Sequence, residues 1–206
     1  GRQIRLLKDC GIKEYIITTG PFEQQIKDFT NNIKGIEITY VKNEIYDKTN
    51  SIYSLYLAKD LFDDDFVVLH GDLVFNKRIV KNLLNNHKND IALIGKTVPL
   101  PDKDFKGLVV NDRLNHISVD IYGENTYALQ PMYKMSKDTI HLWLNKVVKM
   151  VNNNVFNVYA ENALNDIMDE VNISILDYSN EYIDEIDNIE DLERVSKLIS
   201  GFDYND

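Results

Sequence analysis

Phe66-Val67-Val68-Leu69-His70-Gly71-Asp72 is the stretch whose reading decides the fold. Its apolar residues run without alternation, which reads as a strand covered on both faces. The run stops at Gly-Asp, so a carboxylate stands at the carboxyl end of that strand. Ile91-Ala92-Leu93-Ile94 reads the same way. Upstream, Glu14-Tyr15-Ile16-Ile17-Thr18-Thr19 is β-branched and aromatic up to Gly20-Pro21, and residues 36–41 alternate apolar and polar, so both read as strands. Helical spacing fills the intervals: residues 4–12 with Gly11 as C-cap, residues 22–29, residues 49–62 and residues 78–87. Helix and strand therefore alternate through the first half, which predicts right-handed crossovers and an α/β fold with a mostly parallel sheet between helices.

Past Pro101 the alternation ends. Residues 107–119 read as a hairpin turning at Asn111-Asp112, residues 125–135 as a strand, and residues 140–151 and 160–170 as helices. Residues 173–177 and 182–186 read as strands, and residues 189–199 as a closing helix. No repeat or linker interrupts this pattern, so residues 1–206 read as a single domain.

Composition narrows the function. The 206 residues carry 23 Lys+Arg against 33 Asp+Glu, a formal net charge of −10. That balance argues against a nucleic-acid binder, which needs clustered Lys and Arg to neutralise phosphates, but leaves room for a small anionic ligand in a local positive pocket. A single cysteine, Cys10, excludes an internal disulfide and a multi-Cys zinc site. No apolar run is long enough to span a bilayer and no secretory signal opens the chain, so the expected compartment is the cytoplasm.

Three segments are candidates for chemistry. Asp72, at the end of a strand and after a glycine, is placed either to hold a divalent cation or to cap the helix that follows Phe75. Asp187, in Tyr182-Ile183-Asp184-Glu185-Ile186-Asp187, is again a strand-end acid, and local spacing favours capping of the next helix. Two such acids in one sheet are also a fit for one Mg²⁺, a hard ion that takes oxygen ligands and substrate phosphates. Thr49-Asn50-Ser51 crowd a helix N-terminus, either as an N-cap or as a contact for a base or phosphate. His70, His87, His116 and His141 show no ligand spacing and read as structural or exposed; Trp143 reads as packing. Neither a G-x-S-x-G elbow nor a Walker A loop is present.

Taken together, these segments resemble the nucleotidyltransferase superfamily that makes activated sugars and alcohols. His70-Gly71-Asp72-Leu73-Val74-Phe75 is similar to its G-D-x-x-F metal motif, and Glu185-Ile186-Asp187-Asn188-Ile189-Glu190-Asp191-Leu192 to its late E-I-D-x-x-E-D-L motif. Thr49-Asn50-Ser51-Ile52-Tyr53-Ser54-Leu55-Tyr56-Leu57-Ala58 resembles the choline-phosphate and 2-aminoethylphosphonate cytidylyltransferase branch. So do Asp104-Phe105-Lys106, as its D-x-K, and Tyr159-Ala160-Glu161-Asn162-Ala163-Leu164, as its Y-x-E-x-A-L. The resemblance implies a Rossmann-like sheet of the nucleotide-diphospho-sugar transferase type and transfer of CMP from CTP to a small phosphorylated alcohol or phosphonate, with release of pyrophosphate.

It also implies roles. Asp72 and Asp187 would hold Mg²⁺, Lys106 would neutralise charge on the acceptor or α-phosphate, and Thr49, Asn50, Ser51 and Gly71 would lie at the nucleotide. Glu161 and Tyr182 would face an ammonium group on the acceptor. The family's opening strand and its L-A-A-G-x-G-x-R-L loop have no counterpart in the sequence, and residues 127–133 replace its Gly-Ile-Tyr type strand. The expectation is an N-terminally truncated domain that lacks the usual first strand and is inactive by itself. A sugar-phosphate nucleotidyltransferase and a non-catalytic binding or scaffold homologue are the competing readings.

Overall fold

A computed structural model describes residues 1–199. The elements follow in the order α1 (Arg2–Asp9), β1 (Glu14–Thr19), α2 (Glu23–Thr30), β2 (Glu37–Lys42), α3 (Ser51–Ala58), β3 (Phe66–Leu69), β4 (Leu73–Phe75), α4 (Lys77–Asn85) and β5 (Ile91–Gly95). The second half supplies β6 (Lys106–Val110), β7 (Arg113–Ser118), β8 (Thr126–Met135), α5 (Lys137–Asn152), α6 (Ala160–Asn165), β9 (Ser174–Asp177), β10 (Ile183–Glu185) and α7 (Ile189–Ile199).

The apolar runs separate two cores. In β5, Ala92 and Ile94 face a core built on Ile52 and Leu55 of α3, on Trp143 and Leu144 of α5 and on α6. Ile91 and Leu93 face the other, built on Leu6 and Leu7 of α1 and on Ile79, Val80 and Leu83 of α4. A strand with apolar residues at every position is what a sheet needs when helices cover both faces, and the expected α/β layering holds.

The pairing is less parallel than the alternation predicts. β1 and β2 pair in parallel, as do β5 and β9, but the long β8 runs antiparallel between β3 and β5. β8 arrives from the β6–β7 hairpin, whose turn residues Asn111 and Asp112 take φ of 53° and 57°, and two such left-handed residues are what a tight two-residue hairpin requires. The hairpin returns the chain in the reverse sense, and β8 then fills the sheet in that direction. The short strand β4, unforeseen in the sequence, follows directly on Asp72 and pairs antiparallel with β10, setting Glu185 opposite Leu73. Helix α6 stops at Asn165 rather than continuing to Glu170. The Asn165 amide there accepts from Ile117 N at 2.8 Å and donates to Ile117 O at 2.7 Å, which ties the chain to β7 and ends the helix.

Among the described residues, β1 pairs only with β2, and β3 pairs only with β8. The β1–β2 pair is thus not hydrogen-bonded to the main six-stranded sheet among the described residues.

Candidate active site

Both capping alternatives for the strand-end acids are taken by neighbouring asparagines. Asn76 caps α4, its Oδ1 accepting from Ile79 N at 3.2 Å. Asn188 caps α7, its Oδ1 accepting from Asp191 N at 2.9 Å, while the Asp191 carboxylate reaches back toward Asp187 N. Neither Asp72 nor Asp187 is needed at a helix end, and the local preference for Asp187 as a cap is corrected.

The β4–β10 pairing brings the freed acids together. Asp72, Glu185 and Asp187 each offer a carboxylate oxygen, and these oxygens lie within 4.8 Å of one another. Asp72 Oδ1 and Glu185 Oε1 are buried with no hydrogen-bond partner. A buried unpartnered carboxylate oxygen is costly, and two of them converging with the exposed Asp187 carboxylate is costlier still unless a cation completes them. All the donors are hard oxygens, which fits Mg²⁺. Burial pushes the Glu185 carboxyl up to about 7, and the charges of Asp104 and Asp72 add to the rise. Asp104 is itself raised by burial and by Asp187, with Lys106 pulling the other way.

Sequence reasoning missed Glu185 and Asp104, although both stand inside motifs it quoted. The signal for Glu185 was strand alternation: residues 185 and 187 share a face, and residues 182 and 184 share the other. The same alternation separates Tyr182 from the cluster. Its hydroxyl lies 3.4 Å from Asp184 Oδ2, on the side where Arg194 also pairs with Asp184, and the structure does not bring Tyr182 and Glu161 together.

Glu161 instead meets His70. Only 2 % exposed, Glu161 accepts from the Tyr133 hydroxyl at 3.1 Å and stands 3.3 Å from His70 Nε2 through the same oxygen, leaving Oε2 buried without a partner. Burial pulls the His70 imidazole down, but the bonded Glu161 carboxylate, with Asp72 and Glu185 beyond it, outweighs this and the net shift is upward. Burial and the same carboxylate push the Tyr133 phenol up. His70, read from sequence as structural or exposed, belongs to the site.

At the end of α3 the capping alternative holds. Asn50 caps the helix, its side chain accepting from Ser51 N at 2.7 Å, and Ser51 Oγ accepts from Ala160 N at 2.9 Å. Thr49 is held between Asn43 Nδ2 and Ile45 O. Asn50 and Ser51 nonetheless line a cavity of about 1000 Å³ together with His70, Gly71, Asp72 and Glu161. A Cβ at Gly71 would meet nothing within 4 Å, so that glycine borders open space. Lys106 is fully buried; its Nζ donates to Val119 O at 2.6 Å and to Asp104 O at 3.3 Å, and lies 4.6 Å from the Tyr122 ring centre. It therefore anchors the loop that carries Asp104 beside the acidic cluster.

No family model matches the chain. Among curated proteins it is 29% identical over 98 residues to the CTP:phosphoglutamine cytidylyltransferase of Campylobacter jejuni, covering 45% of this chain and 38% of that protein. It is 31% identical over 96 residues to a choline-phosphate cytidylyltransferase of Haemophilus influenzae, covering 47% of this chain and 40% of the relative. With the choline-phosphate cytidylyltransferase of Streptococcus pneumoniae the likeness runs over 97% of this chain and 83% of the relative at 22% identity. The relatives are nucleotidyltransferases. The chain spans about two fifths of the length of the first two. The inositol-1-phosphate CTP transferase from T. maritima superposes with a TM-score of 0.74 at 20% identity, over 98% of this chain and 83% of that one. The fold is that of this group, and the resemblance read from the motifs is met. No helix among the described residues is long and apolar enough to cross a membrane.

Proposed function

We propose that this domain transfers CMP from CTP to a small phosphorylated alcohol or phosphonate, releasing pyrophosphate. The observation that carries the reading is the convergence of Asp72, Glu185 and Asp187 on one point with buried oxygens left unpartnered. The choline-phosphate and phosphoglutamine cytidylyltransferases among its relatives point the same way.

In this reading an acceptor phosphate oxygen attacks the α-phosphorus of CTP, a new P–O bond forms, and the bond to the β-phosphate bridge breaks. Asp72, Glu185 and Asp187 would hold Mg²⁺, which when bound offsets charge on the phosphates and orients them for in-line displacement. Asn50, Ser51 and Gly71 border the nucleotide, with Thr49 holding their segment in place. Glu161, fixed by Tyr133 and His70, presents its free Oε2 to a cationic group on the acceptor. Lys106 fixes a positive charge under the Asp104 loop, countering the phosphates from that side. A cytoplasmic location, where CTP is formed, accords with this chemistry.

Calorimetry of CTP binding with and without Mg²⁺ tests the proposal. Binding should require Mg²⁺, exceed that of UTP and dTTP, and be lost in Asp72→Ala and Asp187→Ala while both variants stay folded. Equal affinity with and without the metal, or variants that bind like the parent, would sink it.

A further inference from the structure

Residues 184–191 carry five acids: Asp184, Glu185, Asp187, Glu190 and Asp191. Glu185 and Asp187 converge on Asp72. Asp184 and Asp191 pair instead with Arg194 of α7. The guanidinium forks over Asp184, with Nη1 donating to Oδ2 and Nη2 donating to Oδ1 at 3.2 Å. Nη2 also donates to Asp191 Oδ1 at 2.9 Å. One planar cation thus ties β10 to the first turn of α7.

Each carboxylate that Arg194 holds is bonded in turn to the backbone of an acid in the cluster. Asp184 Oδ1 accepts from Glu185 N at 3.0 Å. Asp191 Oδ2 accepts from Asp187 N at 3.4 Å. Ile186 N donates to Asp72 O at 3.1 Å. Beyond that bond, the corner that carries Asp187 is tied down through Asp191 and the Asn188 cap.

Stability does not account for this arrangement. The side chains of Arg194, Asp184 and Asp191 are 46%, 26% and 24% exposed, and pairs so open to water contribute little to folding. What a guanidinium adds over a point charge is direction, because its rigid fork sets the position of each carboxylate it holds. Its bonds also keep the Asp191 carboxyl below the ordinary range, so that group stays an acceptor for Asp187 N.

We propose that Arg194 is a positioning residue for metal binding. Through Asp184 and Asp191 it fixes the backbone at Glu185 and Asp187, so that their carboxylates meet Asp72 within the span of one divalent cation. It acts at one remove, as hydrogen-bond partners behind metal ligands do. The inference rests on the metal reading of the acidic cluster.

Arg194→Gln, Arg194→Lys and Arg78→Gln test it at physiological ionic strength. Arg78, in α4, pairs with Glu181 at 3.9 Å, so its loss removes the same charge without touching the fork. Mn²⁺ alone is the probe, since it suits the same oxygen ligands as Mg²⁺ and its binding is read by electron paramagnetic resonance. Hydrogen exchange of the metal-free proteins reports on the backbone. Arg194→Gln should bind Mn²⁺ about tenfold more weakly. It should also exchange the Glu185 and Asp187 amides several-fold faster, with β5 amides unchanged. Arg194→Lys keeps the charge but not the fork and should behave like Arg194→Gln, whereas Arg78→Gln should match the parent. Parental Mn²⁺ affinity in Arg194→Gln overturns the proposal, and so does full rescue by Arg194→Lys. Equal weakening by Arg78→Gln overturns it in favour of net charge, and equal acceleration of β5 amides in favour of general loosening. A parent that binds no Mn²⁺ is the distinct result that defeats the metal reading itself, and the proposal with it.

Discussion

β3 and β5 are written in nearly the same alphabet and end up in different surroundings. Phe66-Val67-Val68-Leu69 and Ile91-Ala92-Leu93-Ile94 both divide the same two cores. β5 has a strand on each edge, and its residues are 0% exposed. β3 pairs with β8 alone among the described residues, and every one of its residues is only half-buried. An apolar run thus reports that a strand has two covered faces; its edges are settled by other segments.

The strand ends differ as well. Beside β5, Asp177 at the end of β9 is engaged through Oδ1: the Ser179 hydroxyl donates to it at 2.5 Å, Ser179 N at 3.0 Å and Lys96 N at 3.2 Å. Beyond β3, Asp72 and its partner Glu185 each keep a buried oxygen without a partner. One acidic end is bonded to the protein itself, and the other is left with buried oxygens unpartnered.

The largest expected effect lies in the strand bodies. Leu93→Ala should lower unfolding free energy by about 3–4 kcal/mol, since it empties a sealed site. Val68→Ala should cost only about 1 kcal/mol, because part of that side chain's surface is already wet. Denaturant unfolding of both variants is the check. Equal costs would mean that β3 is as enclosed as β5, and the contrast between them would fail.

What was legible in the sequence follows the same division. Covered faces were readable from Val67-Val68-Leu69 and Ile91-Ala92-Leu93, because burial of both faces leaves a local trace. The antiparallel course of β8 was not, because it depends on which gap the chain finds after the hairpin. The site was half legible. Asp72 and Asp187 stood out as acids after strands, and the structure joins them through β4, a strand of only three residues that carries no periodic signal of its own. His70 was missed because its partner Glu161 lies 91 residues away in the chain (161 − 70). Asn76 and Asn188 took the caps that local spacing had offered to the aspartates, a competition between adjacent residues that propensity cannot decide.

The open acidic end gives the next effect. Burial raises the Glu185 carboxyl from 4.5 to about 7, so the folded state keeps a proton that the unfolded state releases. Stability on this account falls as pH rises through that window and is fully forfeited above it. In Mg²⁺-free buffer at pH 8, Glu185→Gln should therefore raise unfolding free energy by roughly 1–2 kcal/mol once solvent screening is allowed for, with most of the gain gone at pH 5. Adding Mg²⁺ should reverse the order, stabilising the parent and leaving the variant unmoved. A variant no more stable than the parent at pH 8 would show that the three carboxylates are not under strain.

The closed end should behave with the opposite sign and a smaller size. Burial pushes the Asp177 carboxyl up, but the Ser179 hydroxyl, Ser179 N and Lys96 N pull it further down, and the net shift is below the ordinary 3.8. Its contribution is therefore complete above that value and is lost as pH falls through the lower folded one. Asp177→Ala removes the acceptor for three donors that water can still reach, so the cost should be about 1 kcal/mol at neutral pH, vanishing in strong acid and indifferent to Mg²⁺. Thermal melts of Asp177→Ala and Glu185→Gln at pH 8, each with and without the metal, set the two ends side by side. A Mg²⁺ response that survives in Asp177→Ala and disappears in Glu185→Gln makes the acids beyond β3 the ones that need a ligand; loss of the response in Asp177→Ala would put the metal beside β9 instead.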